Sequence, residues 1–171
     1  MLILVMGENN SGKSLCAEKI AARLGGRKIY AATMIPHGEE GRARVEKHRR
    51  QRAGMGFVTC ECPHGVGALC AEGATVLLED VSNLMANALF DSERSRSASD
   101  VCREILLLNS QAGALIAVTI SGLEPDGWDD ATRHYVNQLN CLNAQLKCAA
   151  DTVIEMRGGE AHVVRGKCPW I

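Results

Sequence analysis

The sequence predicts an α/β fold in which a mainly parallel sheet is covered by helices on both faces. Short apolar runs at residues 1–6, 28–33, 57–62, 75–78 and 114–120 alternate with segments of helical character, the pattern of strand–helix–strand units. A glycine-containing loop joins the first run to the first helical segment. Two further runs, 152–156 and 162–165, flank Gly158 and Gly159 and predict a C-terminal antiparallel hairpin.

Length and composition favour one globular domain, residues 1–171. The chain is 46% hydrophobic and 23% charged, as expected for a protein with its own core. The formal net charge of −1 gives no global field that would attract nucleic acid or a membrane surface. Residues 1–6 are too short for a secretory signal, and no apolar run reaches the length of a membrane span. We therefore expect a cytoplasmic protein with no nucleic-acid partner and no membrane span.

Helical segments are predicted at residues 15–24, 39–52, 64–72, 81–90, 99–111 and 128–149. Gly25 and Gly26 end the first, and Ser99 is the expected N-cap of the fifth. In the fourth, Leu84, Met85 and Ala88 are expected to face the core. In the last, apolar residues recur at intervals of three and four and predict one buried face: Ala131, Tyr135, Leu139, Leu142, Leu146 and Ala149.

The eight cysteines include no C-x-x-C pair and are expected to be reduced, small, buried hydrophobic residues. Cys60, Cys62 and His64 lie close together in the sequence, which is the one hint of a metal cluster. They lack a second pair of ligands at a familiar spacing, so the pattern favours structural thiols over a zinc site.

The loop after the first strand carries the strongest chemical signal. It reads Gly7-Glu8-Asn9-Asn10-Ser11-Gly12-Lys13-Ser14 and matches the phosphate-binding pattern G-x-x-x-x-G-K-[ST]. The glycines allow successive amides to turn inward, where they and the N-terminus of the next helix face an anion. Lys13 would reach the β- and γ-phosphates of a nucleotide, and Ser14 would hold magnesium.

Two acidic residues, Glu79 and Asp80, follow the strand predicted at residues 75–78. Ligands of parallel α/β sheets bind beyond the carboxyl ends of the strands, so we expect these acids beside the phosphate loop. A carboxylate there would order magnesium together with Ser14. The alternative is that an acid at this position stabilises the start of the next helix through the helix dipole. This role is compatible with magnesium binding.

The segment 39–52 is rich in arginine and lysine and contains His48, which on a helix shares a face with Arg44 and Arg52. Surrounding cations would keep the imidazole neutral and neutralise a polyphosphate, conditions that suit a histidine nucleophile attacking phosphorus. From these residues alone, a solvated basic helix with a bystander histidine is the favoured interpretation. A nucleic-acid surface is disfavoured because the run is short and lacks interleaved aromatic residues.

Taken together, these segments resemble the bifunctional adenosylcobinamide kinase and adenosylcobinamide-phosphate guanylyltransferase family of cobalamin biosynthesis. The similarity covers most of the chain and includes the apolar start with its loop, residues 30–33, 77–79 and 143–151, and single residues at family spacing: Glu40, Arg44, His48, Arg52, Glu61 and Asn87. Differences fall at Glu8, Asn9 and Asn10 (Gly, Ala and Arg in the family), at residues 121–125, and at Val136 and Asn137 (Arg and Asp in the family).

The resemblance implies a P-loop fold of the recombinase type, a trimer, and two reactions. ATP or GTP would phosphorylate adenosylcobinamide, and GMP from GTP would then pass through a covalent His48–GMP to give adenosylcobinamide-GDP. By resemblance, His48 and Lys13 are catalytic, Mg²⁺ is held with the nucleotide by Ser14, Glu79 and Asp80, and the remaining nucleotide contacts come from residues 7–14 with Thr33, Arg49, Arg52, Glu61 and Glu79. The alternatives are a P-loop kinase of another small alcohol without the guanylyl step, and a non-enzymatic nucleotide-binding regulator.

Overall fold

The computed structural model describes residues 1–36 and 38–169, without the side chains of Glu40, Arg44, Lys47, His48 and Gln51. In this part of the chain, seven strands form one sheet with the order β3-β2-β4-β5-β1-β6-β7. Their bounds are β1 Leu2–Gly7, β2 Lys28–Ala32, β3 Phe57–Glu61, β4 Thr75–Glu79, β5 Ala114–Ile120, β6 Thr152–Arg157 and β7 Glu160–Arg165. The described helices are α1 Lys13–Leu24, α2 Gly38–Gln51, α3 Val81–Leu89, α4 Ala98–Gln111 and α5 Asp130–Ala149.

The sheet is parallel except for its last strand, which confirms the predicted fold class. β1 pairs in parallel with β5 and β6, and β7 pairs antiparallel with β6 through the two-residue turn Gly158-Gly159. The predicted strands agree with the observed ones to within two residues at each end, the usual uncertainty of element boundaries.

Both faces of the central strands β1, β4 and β5 are buried, and alternate residues of each strand serve the two faces. In β1, Leu2 and Leu4 pack with α3, α4 and α5, whereas Ile3 and Val5 pack with α1. The predicted inward residues of α3, Leu84, Met85 and Ala88, are fully buried and confirm that prediction. This double coverage explains why the strands read as continuous apolar runs rather than alternating ones.

Four predicted helix starts were wrong by one or two residues, including those of α1, which begins at Lys13, and α2, which begins at Gly38. The helix predicted from Ser99 begins at Ala98, and its cap is Ser97, whose side chain accepts from the Asp100 amide while Asp100 accepts from the Ser97 amide. This reciprocal capping box satisfies two amides, where Ser99 could satisfy one. The helix predicted from Trp128 begins two residues later, at Asp130, because Asp129 caps it by accepting from the Thr132 amide.

The helix predicted at residues 64–72 is a single 3₁₀ turn, Val66–Ala68. Gly65 enters it with φ of +65°, and Gly67 lies so close to α4 that a Cβ atom would be 3.2 Å from Leu107 Cδ2. Glycine disfavours helix propagation, and the close packing on α4 fixes this segment as a turn.

The buried face of α5 was predicted correctly at its centre, where Leu139, Leu142 and Leu146 are fully buried. Ala131 and Ala149 are exposed, because they lie in the first and last turns, beyond the sheet. Val136 and Asn143 are buried instead. Asn143 accepts from the Thr119 hydroxyl at 2.7 Å and donates to the Ile120 carbonyl at 2.9 Å, so a polar residue lies in this face because it holds the end of β5.

The prediction that the cysteines are buried was correct for Cys16, Cys102 and Cys168 and wrong for Cys70, Cys141 and Cys148, which are exposed. The last two lie on the outer face of α5. Cys60 and Cys62 are half-buried and pack against the core. Among the described residues, no group of three or more His, Cys, Asp or Glu side chains is arranged to hold a metal ion.

None of the helices in the described residues combines the length and apolar character needed to cross a membrane.

Candidate active site

The phosphate loop, residues 8–12, connects the buried strand β1 to α1. Gly12 caps α1 in the left-handed conformation with φ of +90°, and Asn10 has φ of +59°. At Gly7, a Cβ atom would lie 2.9 Å from both the Met156 carbonyl oxygen and Ser11 Oγ. Glycine is therefore required there by close packing of β1 against β6 as well as by its φ of +156°.

Lys13 is the first residue of α1 and is only 8% exposed. Its Nζ donates to the Glu8 carbonyl within the loop. Burial lowers the pKa of the ammonium group, while the neighbouring Asp80 and Glu79 carboxylates act in the opposite direction. The loop thus presents a desolvated cation to the cavity in front of it, where electrostatic attraction to a phosphate is strong.

Ser14 and Glu79 join α1 to the end of β4. The Ser14 hydroxyl donates to Glu79 Oε1 at 2.6 Å, whereas Glu79 Oε2 is buried with no hydrogen-bond partner among the described residues. Burial raises the pKa of Glu79 to about 7, although the hydrogen bond from Ser14 lowers it. A hydroxyl and an unsatisfied carboxylate oxygen are the ligand types that Mg²⁺ prefers, so these residues fit the predicted magnesium site.

Asp80 and Thr33 fix the ends of β4 and β2 beside each other. Asp80 Oδ1 accepts from the Asn83 amide at 2.6 Å and caps α3, as the helix-start interpretation predicted. Thr33 is fully buried; its hydroxyl donates to the Asp80 carbonyl and accepts from the Asp80 amide, both at 2.8 Å. In this structure Thr33 holds the acidic strand end in place and does not line the cavity.

Helix α2 and the residue after it form the other side of the site. Arg49 pairs with Glu61 of β3 at 3.0 Å, and both side chains are half-exposed. Arg52 is 6% exposed, and its guanidinium carbon lies 3.3 Å from the ring centroid of Tyr30. Arg52 Nε and Nη1 are buried without a hydrogen-bond partner in the described part of the chain.

These two walls enclose a cavity of about 840 Å³, at the upper end of the range for small-molecule sites. Of the predicted residues, those that line it are Asn9, Asn10, Ser11, Gly12, Lys13, Ser14, Arg49, Arg52, Glu61, Glu79 and Asp80. Gly7 and Thr33 are buried outside this lining, and Glu8 is exposed and does not contribute to it. Helix α2, which carries His48, also contributes Ala43 and Val45 to the wall; the side chain of His48 lies outside the described part of the structure.

Comparison with family models identifies the chain. The model of the CobU family, described as cobinamide kinase / cobinamide phosphate guanyltransferase, matches residues 3–164. The chain belongs to this family. The match begins in β1 and ends in β7, so it includes both walls of the cavity, and it confirms the resemblance that the motifs indicated.

Two solved structures are similar to this family member at low identity. They are the P4 protein of bacteriophage phi6 in complex with ADP, with 15% identity and a TM-score of 0.44 over 94% of this chain, and an ATPase of a type III secretion system of pathogenic bacteria, with 10% identity and a TM-score of 0.48 over 90%. The chain spans about half of those chains, 53% and 51%. No curated protein matches the sequence.

The structure also brings residues to the cavity that the sequence analysis missed. Glu18, Tyr30 and Asn83 line it, together with apolar side chains that include Met34 and Met55. The position of Glu18 could have been predicted from the sequence, because it comes four residues after Ser14 and therefore lies on the same face of α1. Tyr30 and the methionines carried no such signal, because an apolar residue within or close to a strand is read from sequence as part of the core.

Proposed function

We propose that this family member is a nucleotide-dependent kinase and guanylyltransferase that acts on adenosylcobinamide in cobalamin biosynthesis. The observation that carries the proposal is the shared cavity. Lys13, Ser14 and Glu79 form one wall, and α2, the helix that contains His48, contributes residues to the other. A triphosphate bound at the loop would therefore lie between its phosphate-binding groups and the helix of the nucleophile.

In the kinase step, the substrate hydroxyl oxygen attacks the γ-phosphorus of ATP or GTP, the bond to the β,γ-bridging oxygen breaks to release the nucleoside diphosphate, and the hydroxyl proton passes to solvent. Lys13 and the loop amides stabilise the charge on the transferred group. Mg²⁺, held by Ser14 and Glu79 with Asp80 beside them, would neutralise the phosphate oxygens when bound.

In the transferase step, an imidazole nitrogen of His48 attacks the α-phosphorus of GTP and pyrophosphate leaves. A phosphate oxygen of adenosylcobinamide phosphate then attacks the same phosphorus, which breaks the P–N bond and frees the histidine. Arg49 supplies positive charge on the wall formed by α2, which favours the binding of an anionic phosphate beside His48. Glu61 positions Arg49 through their ion pair.

Incubation with α-labelled GTP and Mg²⁺ tests the proposal directly. We expect a label on the protein that is labile in acid and stable in base, as for a phosphoramidate, and a mass increase of one GMP. His48→Ala should abolish it, and Lys13→Ala should reduce it strongly. The matched control is His162→Ala, a surface histidine of β7, which should label as the wild type does. Labelling that persists in His48→Ala would refute the assigned nucleophile.

A kinase of another small alcohol is the second candidate, because two of the sequence differences from the family, Asn9 and Asn10, lie in the lining of the cavity. Asn10, where the family has arginine, lines it. The divergent segment 121–125 adjoins the loop, since the Ser121 amide donates to the Gly7 carbonyl at 3.0 Å. This candidate predicts γ-phosphate transfer that survives His48→Ala and no GMP label on wild type. Tight nucleotide binding without any transfer would support the regulator instead.

Magnesium as cofactor, the trimer and the cytoplasmic location remain predictions of this proposal. Omission of Mg²⁺ from the labelling reaction and light scattering of the purified protein test the first two.

A further inference from the structure

A buried acid of the cavity has no part in the two reactions described above. Glu18 lies on α1 one turn beyond Ser14, lines the same cavity and is 5% exposed. Burial raises the pKa of its carboxyl, and Arg52 acts in the opposite direction. No hydrogen bond or ion pair joins this side chain to another described residue, so its carboxylate is open to a donor from a ligand in the cavity.

Arg52 supplies a positive charge to the same cavity and is as buried as Glu18, with 6% of its surface exposed. Its guanidinium is held against the Tyr30 ring at 3.3 Å, and its Nε and Nη1 have no partner in the described residues. Glu18 and Arg52 line the same cavity, and the guanidinium lowers the pKa of the Glu18 carboxyl, yet the two side chains form no ion pair. A ligand that presents hydrogen-bond donors next to acceptors would satisfy both groups at once.

We infer that Glu18 and Arg52 select guanine as the base of the bound nucleotide. Guanine has two acceptors, O6 and N7, which arginine contacts through paired donors, and two donors, N1–H and the 2-amino group, which fit one carboxylate. In the same position, adenine directs its 6-amino donor at the guanidinium and an unprotonated N1 at the carboxylate. The apolar Met34 and Met55 of the cavity are available to the faces of the planar base.

This inference rests on the proposed function, which places the triphosphate at the loop, and adds the residues that discriminate between bases. Glu18 is thereby a specificity residue for GTP in the guanylyl step. Tripolyphosphate, which has no base, tests phosphate binding separately from base selection.

The experiment compares dissociation constants for GTP, ITP, ATP and inorganic tripolyphosphate, measured by calorimetry with Mg²⁺. ITP lacks the 2-amino group, and tripolyphosphate lacks a base. For Glu18→Gln we expect GTP binding to weaken by about ten- to a hundredfold, the range for a hydrogen bond to a charged group. The binding of ITP should weaken less than that of GTP, and the dissociation constants for ATP and tripolyphosphate should be unchanged. The matched control, Glu93→Gln on the exposed loop after α3, should bind all four ligands as the wild type does.

Arg52→Lys provides a second variant that keeps the charge and removes the paired donors. We expect it to lose the preference for GTP over ATP while retaining tripolyphosphate. An equal loss of GTP and ATP affinity in Glu18→Gln, or an unchanged GTP affinity, would overturn the inference. If wild type binds tripolyphosphate but shows no preference for GTP, base selection fails and the phosphate site stands. If it binds none of the ligands, both the inference and the proposed function fail.

Discussion

Glu79 gives the most direct test of how burial sets the chemistry of the site. Its carboxyl has a pKa of about 7, compared with an ordinary value of 4.5, chiefly because it is desolvated. Below pH 4.5, the carboxyl is protonated in both the folded and the unfolded chain. Between pH 4.5 and about 7, the unfolded chain releases this proton while the folded protein retains it. The contribution of Glu79 to stability therefore falls as pH rises through this window and is constant above it.

The size of the effect follows from the two pKa values. The interval from 4.5 to about 7, at about 1.4 kcal/mol for each pH unit, corresponds to about 3 kcal/mol in the free energy of unfolding. Glu79→Gln removes the charge and retains an oxygen that accepts the hydrogen bond from Ser14. Without ligands, the variant should therefore gain about 3 kcal/mol relative to wild type between pH 4 and pH 8.

Urea denaturation at both pH values, with EDTA and no nucleotide, measures this difference. Titrations shared by the two proteins cancel in the comparison, and Glu93→Gln, the same substitution on an exposed loop, is the matched control. The same stability difference between Glu79→Gln and wild type at pH 4 and pH 8 would refute the reasoning. With Mg²⁺ and GTP at pH 8, the order should reverse, because ligand binding stabilises wild type more than a variant without the carboxylate.

Three structural predictions test other parts of the fold by urea denaturation. Gly7→Ala should cost about 1–3 kcal/mol, because its Cβ would meet the Met156 carbonyl at 2.9 Å; an unchanged stability would contradict the close packing. Ser97→Ala should lower the free energy of unfolding by about 1 kcal/mol through loss of the helix cap, whereas Ser99→Ala should change it little. A larger loss in Ser99→Ala than in Ser97→Ala would show that Ser99 is the cap. Leu77→Ala at the fully buried centre of β4 should lower the free energy of unfolding by about 2–5 kcal/mol. A smaller loss would mean that neighbouring side chains move to fill the space left by the leucine.

The strands and the phosphate loop could be predicted because their signals are local. A run such as residues 114–120 is apolar throughout, and a segment of that kind bounded by turns reads as a buried strand without knowledge of its neighbours. The loop is specified by Gly7, Gly12, Lys13 and Ser14 at fixed spacing. The helix starts were harder, because Ser97 and Ser99 are both acceptable caps by residue type and the choice depends on the reciprocal bond from Asp100.

The cavity could be predicted in part. Glu79 and Asp80 were placed by the rule that ligands bind at the carboxyl ends of parallel strands, and Arg49, Arg52 and Glu61 by the family resemblance. The same analysis missed Glu18 and Tyr30 and put Thr33 in contact with the nucleotide. A threonine at a strand end can face a ligand or a neighbouring strand, and here the side chain bonds to the backbone of Asp80.

By itself, then, the sequence determined the alternation of strands and helices, the anion-binding loop and the family to which the chain belongs. These properties depend on residue type and on short spacings along the chain. Tertiary structure decided the strand order, which brings α1, β2 and the end of α2 to one cavity, and with it the meeting of Glu18, Tyr30 and Arg52. It also decided the ionisation of Glu79, since a carboxyl group's pKa depends on how much water and how many charges the folded chain leaves around it.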